Sequence, residues 1–338
     1  MTDFNPTRLL RNCHVQSLGA SLDLRKKLLR MRSSPVLKAA RPELMHLPVD
    51  GGVWLSAHIS RQPQSSGRLA ILLHGWEGSV DSNYLLATAD TLFRSGYDVA
   101  RLNFRDHGNT HGLNSGVFHS CRLDEVVAGV AEIIKRERPS RVGLAGFSLG
   151  GNFALRVACR ANELPLPLSR VVSVCPVIVP ANALDMMENG WALYRHYFVR
   201  KWQRSLARKQ SLWPALYDFR DEMKMSSLTD MTTSLVERYT EFDTVEQYLD
   251  GYAVAGDRLL QLAAPTTIIS AADDPVVPTS DLDLLPQIPN LDLIKTRYGG
   301  HCGFLDTFSV HSWIEPQIVR LFEYNHEKQS DHEHTAAA

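Results

Sequence analysis

Short apolar runs alternate along this chain with segments of helical spacing. Leu44 to Val49 and Val53 to Ile59 read as strands joined by a hairpin turn at Asp50-Gly51-Gly52. Arg68 to Leu73 is a continuous apolar run of the buried-strand type, 84–94 has helical spacing, and Asp98 to Phe104 is again a strand. Leu123 to Lys135 reads as a helix. A strand from Val142 then runs through Gly146-Phe147-Ser148-Leu149-Gly150 into a further helix. Val171 to Val177, Thr266 to Ser270 and Asp292 to Thr296 supply three more strands, and a helix over about Ser312 to Tyr324 closes the series. This rhythm predicts an α/β fold, a mostly parallel central sheet with helices on both faces. In such sheets the ligand site lies beyond the carboxyl ends of the strands, where His74, Ser148 and the polar loop after Phe104 all fall.

Two regions break the rhythm. Residues 182–258 are helical in pattern and rich in large side chains, among them Trp191, Tyr194, Tyr197, Phe198, Trp202 and Trp213, and read as an inserted helical cap. Residues 1–42 hold nine Lys or Arg against two Asp. Their run Leu22 to Arg32 predicts a basic amphipathic helix that packs on its own domain, with peripheral membrane contact as the alternative use of such a face. The expected organisation is an N-terminal extension over 1–42, a core formed by 43–181 and 259–325, a cap over 182–258 and a disordered tail over 326–338.

Composition narrows the function classes. A net charge of −1 and a pI near 6.9 give no electrostatic case for nucleic acid, so small-molecule chemistry is favoured. The five cysteines, at 13, 121, 159, 175 and 302, are scattered and form no Cys-x-x-Cys pair, which suits a reducing compartment. The N-terminus lacks the charged-then-apolar pattern of a signal peptide, and no apolar run is long enough to span a bilayer. Cytoplasmic location is the expectation.

The chemistry centres on Gly146-x-Ser148-x-Gly150 between a strand and a helix. Side chains at 146 or 150 would crowd the tight turn, and the helix start faces its backbone N–H groups toward developing negative charge. A serine hydroxyl needs a neutral imidazole within reach and a carboxylate to orient that imidazole. Both follow in the sequence, as Asp273-Asp274 after one strand and Gly299-Gly300-His301 after the next. Adjacent residues of an extended segment point in opposite directions, so one acid of the pair is expected to face His301. His74-Gly75-Trp76 follows the third strand, at the same end of the sheet as Ser148, and His74 is expected to be structural. Asp106, His107 and His111 carry metal-ligating groups in one loop, but without a second cluster they read as loop polarity near an entrance. A P-loop, a dinucleotide fingerprint and a Cys-based zinc signature are absent, so neither cofactor nor metal is expected.

With these residues in place the chain resembles the α/β-hydrolase superfamily from about residue 43 to 325, in the order serine, acid, histidine. Hydrolases of this fold commonly place the acid four residues before a proline in a small-x-x-Asp-x-x-x-Pro register, which Ala271, Asp274 and Pro278 fit, so the resemblance implies Asp274. It also implies that the loop after the third strand and the residue after the nucleophile donate backbone N–H groups to an oxyanion, which by position are those of Trp76 and Leu149. More narrowly it resembles the YheT-type branch of predicted esterases. That likeness rests on His74-Gly75-Trp76-Glu77-Gly78-Ser79 with Tyr84, Asn103-Phe104-Arg105, Gly146-Phe147-Ser148-Leu149-Gly150-Gly151-Asn152, and Cys13-His14-Val15-Gln16-Ser17, which is like that branch's His-x-Gln-Thr segment. Where many relatives continue Asn-x-Arg-Gly, this chain reads Asn103-Phe104-Arg105-Asp106-His107. The resemblance implies hydrolysis of carboxylic esters, of short acyl groups or lipids, with a small-molecule ester as the partner. Acyl transfer to an acceptor other than water and thioester cleavage use the same triad. Dehalogenase and epoxide-hydrolase chemistry requires a carboxylate at 148. A pocket kept only as a receptor is the reading from another class, although the catalytic set is intact.

Overall fold

The computed structural model describes residues 4–22, 26–28, 31, 34–307 and 311–324. Strands β1 (Ala40–Leu47), β2 (Val53–Ser60), β3 (Arg68–Leu73), β4 (Asp98–Asn103), β5 (Arg141–Phe147), β6 (Leu168–Val174), β7 (Thr266–Ala271) and β8 (Leu291–Thr296) form one sheet in the order β1-β2-β4-β3-β5-β6-β7-β8. Only β2 runs against its neighbours; the pairs from β4 across to β8 are all parallel. The hairpin between β1 and β2 turns through Asp50, Gly51 and Gly52, all with positive φ, and leaves Leu47 opposite Val53.

Burial follows strand position. After their first residues β3 and β5 are buried throughout, as is all of β7, whereas the edge strands β1 and β8 keep exposed positions. Alternation sends Leu69, Ile71 and Leu73 to one face and Ala70 and Leu72 to the other. The first face is covered by α4 (Leu123–Glu137) and α5 (Leu149–Cys159), the second by α3 (Asn83–Arg94) and α10 (Ile314–Glu323). Two apolar layers therefore sandwich the sheet and fix the carboxyl ends of β3, β5, β7 and β8 along one rim.

Several boundaries differ from the sequence reading. The first strand begins at Ala40, so residues 40–42 belong to the sheet, and α1 (Cys13–Ser21) and α2 (Pro35–Ala39) precede it. The sixth strand ends at Val174, because Cys175 takes a φ of 45° and turns the chain out of the sheet. Helices α6 (Pro180–Asn189), α7 (Ala192–Leu212), α8 (Leu228–Tyr239) and α9 (Val245–Gly251) form a layer around Val199, Leu206, Phe219 and Met231. The chain rejoins the main core before residue 258: Val254 and Leu259 pack there, and the Val254 N–H donates to the Ile178 carbonyl at 2.9 Å. Of the basic run 22–32, residues 23–25, 29–30 and 32 fall outside the described residues; 26–28 and 31 are helical and Leu28 packs against Leu86 and Ala87, while the segment 326–338 falls wholly outside them. Among the described residues no helix is long and apolar enough to cross a membrane.

Candidate active site

Ser148 stands between β5 and α5 with φ 56° and ψ −120°, a conformation that costs about 1–3 kcal/mol for a residue with a side chain. The turn is tight enough that a Cβ on Gly146 would lie 2.0 Å from the Gly150 carbonyl oxygen, and one on Gly150 would lie 2.4 Å from the His74 carbonyl oxygen. The Ser148 N–H is tied to the Val174 carbonyl of β6 at 2.8 Å. Flanking strands and helix thus hold the hydroxyl above the sheet.

His301 comes from the loop after β8, and its Nε2 lies 3.0 Å from Ser148 Oγ. On its other side Nδ1 lies 2.8 Å from Asp274 Oδ2 and 3.1 Å from Oδ1. With Nδ1–H given to the carboxylate, the Nε2 lone pair faces the serine hydroxyl. Asp274 is buried and itself held, since its Oδ1 accepts the N–H groups of Val276 at 2.8 Å and Val277 at 3.0 Å. Asp273 points elsewhere: its Oδ1 accepts the Gly300 N–H at 2.9 Å, and burial pushes its pKa up. Burial of the His301 ring opposes its charged form, but Asp274 and Cys302 together offset this and raise its pKa above the ordinary histidine value.

The loop after β3 is built on two histidines that the sequence does not assign this task together. His74 is wholly buried; its Nε2 accepts the Phe104 N–H at 3.2 Å, which leaves Nδ1–H to donate to the Gly75 carbonyl at 2.8 Å. His107 repeats the device, accepting the Glu77 N–H at 3.0 Å and donating to the Arg105 carbonyl at 2.7 Å. Burial lowers both pKa values, that of His74 to about 4, so both rings stay neutral. The Gly75 N–H is taken by Tyr84 Oη at 2.8 Å. Among the described residues no protein acceptor takes the backbone N–H of Trp76 or Leu149. A Cβ on Gly75 would stand 3.2 Å from Ser148 Cβ, so this loop lies directly beside the serine.

The remaining loop residues have structural partners. Asp106 pairs with Lys209 of α7 at 2.8 Å and accepts the Phe118 N–H at 2.9 Å, and His111 Nε2 lies 2.8 Å from Ser205 Oγ, also on α7. They tie the core to the helical layer and do not converge as a ligand set. The ligand atoms of Cys175, His301 and Cys302 do lie within 4.8 Å of one another, but both ring nitrogens of His301 are already engaged by Ser148 and Asp274.

Above Ser148 and His301 is a cavity of about 700 Å³, roofed by Leu184, Met187, Phe198, Trp202 and Leu235 from the helical layer. The Trp76 ring stacks on Phe198 at 5.4 Å and meets Trp202 edge-on at 5.0 Å. Glu77 also lines it, and burial pushes its pKa up to about 8 against the pull of Lys201. Trp191 and Tyr194, named from sequence with the cap aromatics, lie outside the cavity wall; Trp191 is 46% exposed and packs on His14 at 4.4 Å.

Residues 70–308 match the family model of the alpha/beta hydrolase fold. The chain is 24% identical over 331 residues to the predicted esterase YheT of Escherichia coli, covering 94% of this chain and 92% of that one. It is also 24% identical over 241 residues to the human phospholipase ABHD3, covering 70% of this chain and 58% of that longer protein. Among solved structures, the Pyrococcus furiosus esterase Pf2001 superposes with a TM-score of 0.52 at 18% identity, over 86% of this chain and 93% of that one, a likeness of fold. The chain belongs to the α/β-hydrolase family and, within it, resembles the YheT type.

Proposed function

We propose that this protein hydrolyses carboxylic esters through an acyl-enzyme. The observation that carries the reading is the 3.0 Å contact between His301 Nε2 and Ser148 Oγ, on a ring whose other nitrogen meets Asp274. Ser148 Oγ forms a bond to the ester carbonyl carbon as its proton passes to His301 Nε2. The carbonyl oxygen becomes an oxyanion within reach of the Trp76 and Leu149 N–H groups, and Asp274 steadies the imidazolium. The bond to the alcohol oxygen breaks as His301 gives that oxygen the proton; His301 then takes a proton from water as the water oxygen bonds the acyl carbon, and returns it to Ser148 Oγ as the acyl–serine bond breaks and the acid leaves. The similarity to YheT and to a phospholipase supports ester chemistry, and the apolar cavity roof suits an acyl chain. All five cysteines are free thiols, which suits a reducing compartment. The test is labelling by a fluorophosphonate together with turnover of a chain-length series of p-nitrophenyl esters. Absence of both in the folded wild-type protein overturns the proposal.

A further inference from the structure

Helix α1 lies far in sequence from the residues above, yet it is built into the histidine loop. Ser17 Oγ donates to the Cys13 carbonyl at 2.8 Å and accepts the His301 N–H at 2.8 Å, so the hydroxyl is used in both directions. Gln16 is wholly buried, and its side-chain amide pairs with the backbone of Leu305 as a neighbouring strand would. It donates to the Leu305 carbonyl at 2.9 Å and accepts the Leu305 N–H at 2.7 Å, with a second donation to the Leu10 carbonyl at 2.5 Å. Contact between helix and loop is close: a Cβ on Gly300 would lie 2.5 Å from the Cys13 carbonyl oxygen.

The loop held this way needs holding. Gly299, Gly300, Cys302 and Phe304 all have positive φ, at 150°, 54°, 58° and 47°. Two of the four carry side chains, and such conformations persist only where the surroundings over-determine them. The helix is itself fastened at three points. Asn12 caps its start by accepting the His14 and Val15 N–H groups, and Asn83 donates to the Ser21 and Leu22 carbonyls at its end. His14 Nδ1 lies 3.1 Å from Tyr194 Oη on α7.

We infer that Gln16 and Ser17 are positioning residues for His301, and that α1 is a strap which sets the height of the imidazole above Ser148; this rests on the reading of His301 as the base. Loss of the Ser17 hydroxyl leaves the His301 N–H without its acceptor in a part-buried site, and loss of the Gln16 amide releases the far end of the loop. A misplacement of about 1 Å in a catalytic group lowers turnover by about 10²-fold.

The experiment compares the full-length wild type with Ser17→Ala, Ser17→Thr and Gln16→Ala. It measures fluorophosphonate inactivation rate, titrated active sites, kcat and KM for a short p-nitrophenyl ester, and the imidazole NMR resonances of His301. The alanine variants are expected to lose about 10- to 100-fold in kcat per titrated site with KM nearly unchanged. Their His301 resonances should move, and Ser17→Thr, which keeps the hydroxyl, should restore most of the rate. Folded alanine variants with kcat and inactivation rate within about twofold of wild type would overturn the inference. If an alanine variant does not fold, Ser17→Cys, which keeps the size and weakens the acceptor, carries the same comparison. A wild type that neither labels nor turns over sinks the esterase reading instead. In that case an unmoved His301 resonance in Ser17→Ala overturns the strap and a moved one supports it.

Discussion

His301 Nδ1 lies 2.8 Å from Asp274 Oδ2, while the adjacent Asp273 turns its carboxylate to the Gly300 N–H. The two acids therefore do different work within one loop, one oriented on the ring and one bracing the backbone beside it. Asp274→Asn presents an amide to Nδ1 and disturbs the tautomer, so on the proposed mechanism turnover should fall by about 10⁴-fold, the magnitude found for the orienting acid of a well-studied serine protease. Asp273→Asn keeps an acceptor for Gly300 and should cost far less. Turnover of the two variants measured side by side decides it; a large loss confined to position 273 reverses the assignment.

Ser148→Ala should abolish covalent labelling while leaving the fold intact. Residual hydrolysis should be about 10³–10⁴ over water, the part supplied by binding and oxyanion donors. Mass spectrometry of the probe adduct reads this directly, and an adduct on another residue would move the nucleophile.

On the proposed mechanism the acid limb of kcat/KM reports the proton on His301. Catalysis needs the neutral ring, so activity is lost as pH falls through the pKa of the folded protein. Because Asp274 and Cys302 raise that pKa against the effect of burial, the limb should lie above the ordinary histidine value, and Asp274→Asn should move it down. Identical limbs in wild type and variant would show that the limb belongs to another group.

Substrate selection should be felt at Phe198 and Trp202, which wall the cavity and pack on Trp76. Trimming either to Ala should alter preference among acyl chain lengths, each methylene-sized contact being worth about 1–3 kcal/mol. Trp191→Ala, outside the cavity wall, should leave the chain-length profile unchanged. Equal profiles for all three variants would put the acyl chain elsewhere.

Lys209 is a structural cation. Its ammonium bonds Asp106 at 2.8 Å and the Asn114 and Gly116 carbonyls at 2.8 and 2.9 Å, with the residue 1% exposed. Removing one partner of a buried pair leaves an uncompensated charge, so Lys209→Ala should destabilise by about 3–5 kcal/mol. Denaturant unfolding measures this; a loss under about 1 kcal/mol would mean that water reaches Asp106.

Local pattern alone specified the alternation of strands and helices, because apolar periodicity and turn chemistry are properties of neighbouring residues. It also marked Ser148, whose Gly-x-Ser-x-Gly setting is a local steric requirement: only glycine tolerates the 2.0 Å approach at Gly146. Tertiary packing decided what depends on residues distant in the chain. The register before Pro278 pointed to Asp274; that its carboxylate reaches His301 while Asp273 turns to Gly300 is a matter of where the loop after β7 sits against the loop after β8. That His74 and His107 brace the Trp76 loop, and that Asp106 belongs to Lys209, follows from hydrogen bonds that cross between elements. The contact of Gln16 and Ser17 with His301 and Leu305 spans nearly the whole chain, and periodicity carries no trace of it. Sequence spacing lists the groups that chemistry requires; which atoms share a hydrogen bond is set by the packing of the sheet and the helices above it.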